Sequence, residues 1–390
     1  MAKYKLEDVC EIITDGTHKT PEYCDESGYI FLSSKDVTSK KINWSDVKYI
    51  PEKLHHELHS RLAPRKGDVL LAKNGTTGVA ALVDRDEVFD IYVSLALLRP
   101  KNNVFPKYLL YAVNSPVAKR QFDSGLKGIG VPNLHLSVIR KTEIDIPEME
   151  MQVQICDKLE KLAAIIECRE QELKFLDALI KSRFVELFDI QKCQRKPLGE
   201  CTDFVDYRGH TPELSDAGTI RMVNAKSVGK GFFKYVDEYV TEDTYNSWMH
   251  RGFGYPGDIL FVTEGHTFGN TCLIPDDLEK FALGQRVITI KGHQELLNAF
   301  LCSYMQTDMF WQDINVYRTG GTAQGIRSKD LVKVYVPIPP MELQEQFAAF
   351  VEQTDKLKVE VQKVTKGIQS CVNSCWLMVG HKTKWICCLT

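Results

Sequence analysis

The chain has 390 residues, 44% of them apolar and 26% charged, with a net charge of −3. That length suits two or three domains with ordinary cores, and the near-neutral balance excludes nucleic-acid binding by a globally basic surface, leaving only local patches. No apolar run approaches the roughly 18 residues that span a bilayer, and residues 1–5 lead into no signal-peptide core, so a cytoplasmic protein without membrane contact is expected.

Short apolar runs bounded by turn residues come first along the chain. Val69-Leu70-Leu71-Ala72, Val79-Ala80-Ala81-Leu82-Val83 and Val93-Ser94-Leu95-Ala96-Leu97-Leu98 predict strands. Residues 107–113 predict a short amphipathic helix, and Glu143-Ile144-Asp145-Ile146 a closing strand. From Glu148 to Lys196 there is neither Gly nor Pro. Ile155, Leu159, Leu162, Ile166, Leu173, Leu176 and Ile180 recur there in threes and fours, a heptad seam interrupted at Arg169. At 1.5 Å per residue this helix would reach roughly 60 Å. After a polar linker at 191–196 the order repeats: a helix at 296–301, a strand at 334–338, and a second seam through Phe347, Phe350, Thr354, Leu357, Val361, Val364, Ile368, Cys371 and Cys375. One narrow stripe per helix needs a partner, and the other helix supplies it as an antiparallel pair.

The chain is thus written twice. Pro147-Glu148-Met149-Glu150-Met151-Gln152-Val153-Gln154 returns as Pro339-Pro340-Met341-Glu342-Leu343-Gln344-Glu345-Gln346. Asp15-Gly16-Thr17-His18-Lys19-Thr20-Pro21 echoes in 206–212, and Gly67-Asp68-Val69-Leu70-Leu71 in Gly257-Asp258-Ile259-Leu260-Phe261. The period is far beyond the 20–50 residues of solenoids. The expected architecture is α+β: two similar α/β domains separated by two long helices forming an antiparallel coiled coil, with approximate two-fold symmetry. The boundaries are 1–146, 147–195, 196–338 and 339–380, with an atypical tail at 381–390.

Catalytic and metal motifs fail when tested. Gly320-Gly321-Thr322-Ala323-Gln324-Gly325 is followed by Ile326-Arg327 where a P-loop needs Lys-Ser/Thr. Gly125-Leu126-Lys127-Gly128-Ile129-Gly130 opens no helix. His55-His56-Glu57-Leu58-His59 lacks metalloprotease spacing and reads as a solvated helix face. The twelve cysteines contain no CxxC pair and read as free thiols. No cofactor, metal or catalytic residue is assigned.

Loops at matching positions are more informative. Lys73-Asn74-Gly75-Thr76-Thr77-Gly78 corresponds to Thr263-Glu264-Gly265-His266-Thr267-Phe268-Gly269, each following an apolar strand. The loop before the last strand adds Lys127, Asn133 and His135 in the first copy, and Tyr317, Arg318, Gln324 and Arg327 in the second. Such donors and acceptors suit phosphates and base edges, although Gly/Thr/Asn clusters are also ordinary polar turns. Lys35, Arg208 and Lys226 complete the candidate DNA-binding set with Lys73, Asn74, Thr76, Thr77, Glu264, His266 and Thr267. The frame repeats while the side chains change, which suits two modules reading two targets. Composition also permits a non-enzymatic adaptor that bridges two proteins.

This organisation resembles the specificity (S) subunit of type I restriction–modification systems. The resemblance rests on the Leu6…Gly16…Pro21 and Leu198…Gly209…Pro212 starts and the Gly-Asp-[Val/Ile]-Leu strands at 67–70 and 257–260. It also rests on the helix starts at 146 and 338 and the Lys181-Ser182-Arg183-Phe184-Val185-Glu186-Leu187-Phe188 helix end. It implies two target recognition domains and two spacer helices that read a bipartite double-stranded DNA target. It further implies docking of two methyltransferase (M) subunits and, through them, endonuclease/translocase (R) subunits. S-adenosylmethionine, ATP and Mg would belong to those partners, not to this chain. The segment from Gln369 to Gly380 and the tail through Cys387-Cys388 depart from the family pattern, as a shifted or truncated reading frame would make them.

Overall fold

The computed structural model describes residues 3–38, 40–126, 133–207, 211–318 and 324–378, the side chains of 373–378 excepted. Contacts divide the chain into two compact units. One takes residues 1–170 and those from 362 onward; the other takes 171–361.

In the first unit a four-stranded sheet runs in the order Cys10–Asp15, Leu95–Pro100, Val69–Ala72, Ala80–Leu82, antiparallel throughout. Its central strand Val69–Ala72 is buried at every residue, as expected where both faces are covered. The period-2 alternation divides it between two cores. Val69 and Leu71 join Tyr108, Leu109, Phe122 and Ile139 from the helices. Leu70 and Ala72 face Leu32, Phe89 and Ile91 of a second, three-stranded sheet. That sheet orders Lys48–Ile50, Tyr29–Leu32 and Phe89–Ile91, the last pair parallel. Lys3–Lys5 pairs with Glu143–Asp145 and ties the start of the module to its end.

The second unit repeats this strand for strand. Thr202–Asp206, Val287–Gly292, Ile259–Val262 and Thr271–Leu273 form the four-stranded sheet. Tyr239–Val240, Ile220–Val223 and Phe281–Leu283 form the three-stranded one, and Gln194–Pro197 pairs with Tyr335–Ile338. Ile259 and Phe261 again enter one core, Leu260 and Val262 the other. The recurrent Gly-Asp pair has a local cause. Gly67 and Gly257 turn with φ of 91° and 83°, a region that side chains disfavour. Asp68 and Asp258 then close the turn by accepting the backbone N–H of Arg65 and Tyr255, each at 2.9 Å.

The long helices are Met149–Leu187 and Met341–Met378. The recurrent glutamine at each start is a clamp. Gln152 is fully buried, donates to the carbonyls of Pro147 (2.8 Å) and Asn103 (3.0 Å), and accepts from Phe105 N–H (2.7 Å). Gln344 does the same with Pro339 (2.8 Å), Glu295 (3.0 Å) and Leu297 (2.8 Å). Within the second unit the two helices run antiparallel. Phe184 and Phe188 each pack on Phe347 at 5.5 Å, Arg183 lies over Phe350, and Asp177 pairs with Lys358 at 2.8 Å. Within the first unit Cys371 and Val372 pack on the core that holds Ile155, Cys156 and Leu159. The units therefore divide each long helix internally, not at its ends. The helix expected at 296–301 begins two residues later, at Asn298–Tyr304, because Leu297 is its N-cap.

The histidine stretch departs from expectation. In helix Glu52–Arg61 only His56 of the three histidines is strongly exposed; His55 is 5% exposed and its Nδ1 lies 2.7 Å from Asp90 Oδ2. The reading as a solvated face failed because spacing alone cannot show that strand Phe89–Ile91 carries a buried carboxylate under the helix.

Candidate nucleic-acid interface

The loop that follows each central strand is pinned at three corresponding backbone points. In the first module Lys73 N–H donates to Ser94 O (2.8 Å), Lys73 O accepts from Leu134 N–H (2.9 Å), and Asn74 bridges Asn133. In the second, Thr263 N–H donates to Arg286 O (2.9 Å), Thr263 O accepts from Ile326 N–H (2.9 Å), and Glu264 bridges Gly325. Both loops then turn through a glycine of positive φ, Gly75 (75°) and Gly265 (97°). The fold thus brings residues 73–77 together with 133–135, and 263–267 with 324–327.

A third segment joins each cluster. Gly75 lies near Ser34, whose N–H donates to Ser94 Oγ at 3.0 Å, so exposed Lys35 sits beside the first loop. Thr267 Oγ1 is 3.5 Å from Ala225 O, which puts exposed Lys226 beside the second. Lys35 makes no ion pair among the described residues; Lys226 pairs with Glu238, whose carboxyl that hydrogen bond holds below its ordinary value.

The side chains on this shared frame differ. In the first cluster Thr76 and His135 are exposed, Asn74, Thr77 and Asn133 half-buried. Asn133 Oδ1 is buried without a hydrogen-bond partner among the described residues. In the second, Glu264, His266, Thr267, Gln324 and Arg327 are exposed. Arg318 bonds Gln324 Oε1 and Asn315 Oδ1 and lies over Trp311 and Phe268, with half-buried Tyr317 next to it. Arg286 pairs with Glu264 at 3.1 Å. His135 and Arg327 hold the same position, the N-cap of the short helices Leu136–Lys141 and Ser328–Leu331.

Lys73 is different in kind. It is 6% exposed and its ammonium pairs with Asp15, itself 7% exposed. The matching Asp206 instead accepts from Ser328 Oγ. Lys73 therefore holds the loop to strand Cys10–Asp15 from within. Sequence reading missed this anchor and the Arg286–Glu264 pair, since each joins residues far apart in the chain. Lys127 and Arg208 lie outside the described residues.

Comparison with known proteins follows the duplication. The family described as type I restriction modification DNA specificity domain matches residues 1–177 and again 201–369. A putative type I restriction enzyme specificity subunit of Methanocaldococcus jannaschii, MjaX, is 21% identical, covering 93% of this chain and 88% of its own. The MjaVIII specificity subunit of the same organism is 27% identical over 174 residues, covering 43% of this chain and 40% of its own. The solved structure of the S subunit of a type I restriction–modification system from M. genitalium covers 96% of this chain and 94% of its own at 16% identity, with a TM-score of 0.51, a likeness of fold. With the domain matched twice over most of its length, the chain belongs to the type I restriction–modification DNA specificity family and is a specificity subunit whose task is recognition of DNA sequence.

Proposed function

We propose that each module reads one half of a split double-stranded DNA target, with the long helices setting the unspecific gap between the halves. One observation carries this reading: the same backbone frame recurs in both loop clusters while its side chains differ. A frame held by main-chain bonds keeps loop positions constant, so exposed side chains can change without disturbing the fold. The second cluster offers chemistry suited to base edges: an Arg can pair bidentately with guanine, a Gln with adenine, and a Glu can accept from cytosine N4. Lys35 and Lys226, beside the loops, suit phosphate contacts that position each module without specifying sequence. In this reading the chain docks two methyltransferase subunits and, through them, endonuclease/translocase subunits in the cytoplasm. S-adenosylmethionine, ATP and Mg act in those partners.

The test is co-expression with the neighbouring methyltransferase subunit, followed by long-read mapping of methylated adenines. Two short specific halves around a fixed gap are expected. A continuous motif would overturn the two-reader proposal, and failure to form any complex would overturn the proposed docking of methyltransferase subunits.

A further inference from the structure

We propose that His55, His59 and Asp90 form a Zn²⁺ site in the first module that joins helix Glu52–Arg61 to strand Phe89–Ile91. The inference is independent of the DNA reading. His55 and His59 stand one turn apart on the helix and face the same carboxylate, and the three donor atoms all lie within 4.8 Å of one another. His55 Nδ1 is 2.7 Å from Asp90 Oδ2 and His59 Nδ1 is 3.6 Å from Asp90 Oδ1. Donors bound tetrahedrally at 2.0–2.2 Å stand about 3.3–3.5 Å apart, so small side-chain rotations convert the observed spacing into a ligand set. Two imidazoles and one carboxylate suit zinc, with water in the fourth position.

Two further observations point to a ligand. Asp90 is 2% exposed, yet its Oδ1 has no hydrogen-bond partner among the described residues, and neither has His59 Nδ1. The two unsatisfied atoms face each other across a gap too long for a hydrogen bond. Asp90, though neither histidine, also lines a water-sized recess with Gly16, Thr17, Leu58 and Arg61. Arg61 is an opposing charge there, though its guanidinium is bonded to Asp15 O at 3.0 Å.

The second module shows that the fold does not need this polarity. Helix Glu242–Trp248 and strand Phe281–Leu283 occupy the matching places, since Tyr29 pairs with Ile50 as Ile220 pairs with Val240, and Phe31 pairs with Asp90 as Met222 pairs with Ala282. The residues standing for His55, His59 and Asp90 are then Tyr245, Met249 and Ala282, all buried in an apolar core. A conventional core fills the same space without a buried carboxylate.

The experiment titrates the chelator-treated full chain with ZnCl₂ by calorimetry and with CoCl₂ by absorption. It compares the parent with H55Y/H59M/D90A, which copies the second module. The parent should bind one more equivalent than the variant, with tetrahedral Co²⁺ bands lacking thiolate charge transfer, and Zn²⁺ should raise only the parent's melting temperature. His59→Met alone breaks no existing hydrogen bond and decides the matter if the triple variant does not fold; it should weaken binding by roughly tenfold or more. Equal uptake by parent and variants, as cysteine binding would give, or no uptake by the parent, would overturn the proposal.

Discussion

Lys73→Ala separates an anchor from a DNA contact. The Lys73 and Asp15 side chains are 8% and 10% exposed, so their pair is largely shielded from solvent. Among the described residues, removing the ammonium leaves the Asp15 carboxylate with only His18, 3.4 Å away on a side chain 74% exposed. Breaking a buried pair by deleting one partner costs about 3–5 kcal/mol, whereas neutralising both is often close to neutral. The Lys73 backbone bonds to Ser94 and Leu134 are untouched by the substitution, so the loss is electrostatic and local. Urea unfolding of Lys73→Ala should show a destabilised first module, and hydrogen exchange should rise in peptides covering 10–15 and 69–78. D15N/K73M should return to within about 1 kcal/mol of the parent, so that the double variant is more stable than Lys73→Ala alone and the pair is coupled. A single-variant cost below about 1 kcal/mol, with no coupling, would refute the shielded pair and return Lys73 to the surface as a phosphate contact.

Other outcomes follow from the same geometry. Gln152→Ala and Gln344→Ala each strip three hydrogen bonds from a buried helix start; each should cost about 1–3 kcal/mol in denaturant unfolding and loosen exchange at 103–105 or 295–297 respectively. Burial pushes the Cys10, Cys156 and Cys302 thiols up to about 12, so at pH 8 a thiol reagent should modify exposed Cys24 and Cys168 first and leave those three until urea unfolds the chain. Burial also raises the Asp258 carboxyl above its ordinary value, opposed mainly by the Tyr255 N–H bond. A raised folded value favours folding below the unfolded pKa and loses that contribution as pH climbs through the folded one. Asp258→Asn should therefore gain stability relative to the parent between pH 4 and 7, read as the shift in urea midpoint; an unchanged difference across that range would contradict the assignment.

Much of the fold was legible because it is written in local pattern. The strand Val69–Ala72 shows as an apolar run, the long helices as heptad seams, the first of them free of Gly and Pro, and the domain number as a repeat. Leu162, Ile166, Leu173 and Leu176 are half-buried on the seam, while Phe175 and Leu179 beside it stay exposed. The loop clusters were legible as positions, since they follow matched strands, but their internal bonding was not. Asp15 and Lys73 lie 58 residues apart, and nothing in either segment shows that they meet. His55 failed for the same reason: its partner Asp90 comes from a strand 35 residues on, and a polar helix face and a buried polar cluster share one periodicity.

The most direct test of two independent readers substitutes exposed loop residues of one module and maps methylation in the assembled complex. With Gln324→Ala and Arg327→Ala, the second half of the motif should relax at one or more positions, each losing about 1–3 kcal/mol of discrimination, while the first half stays unchanged. Loss of selectivity in both halves by a folded complex, or in neither, would contradict the assignment of one half-site to each module.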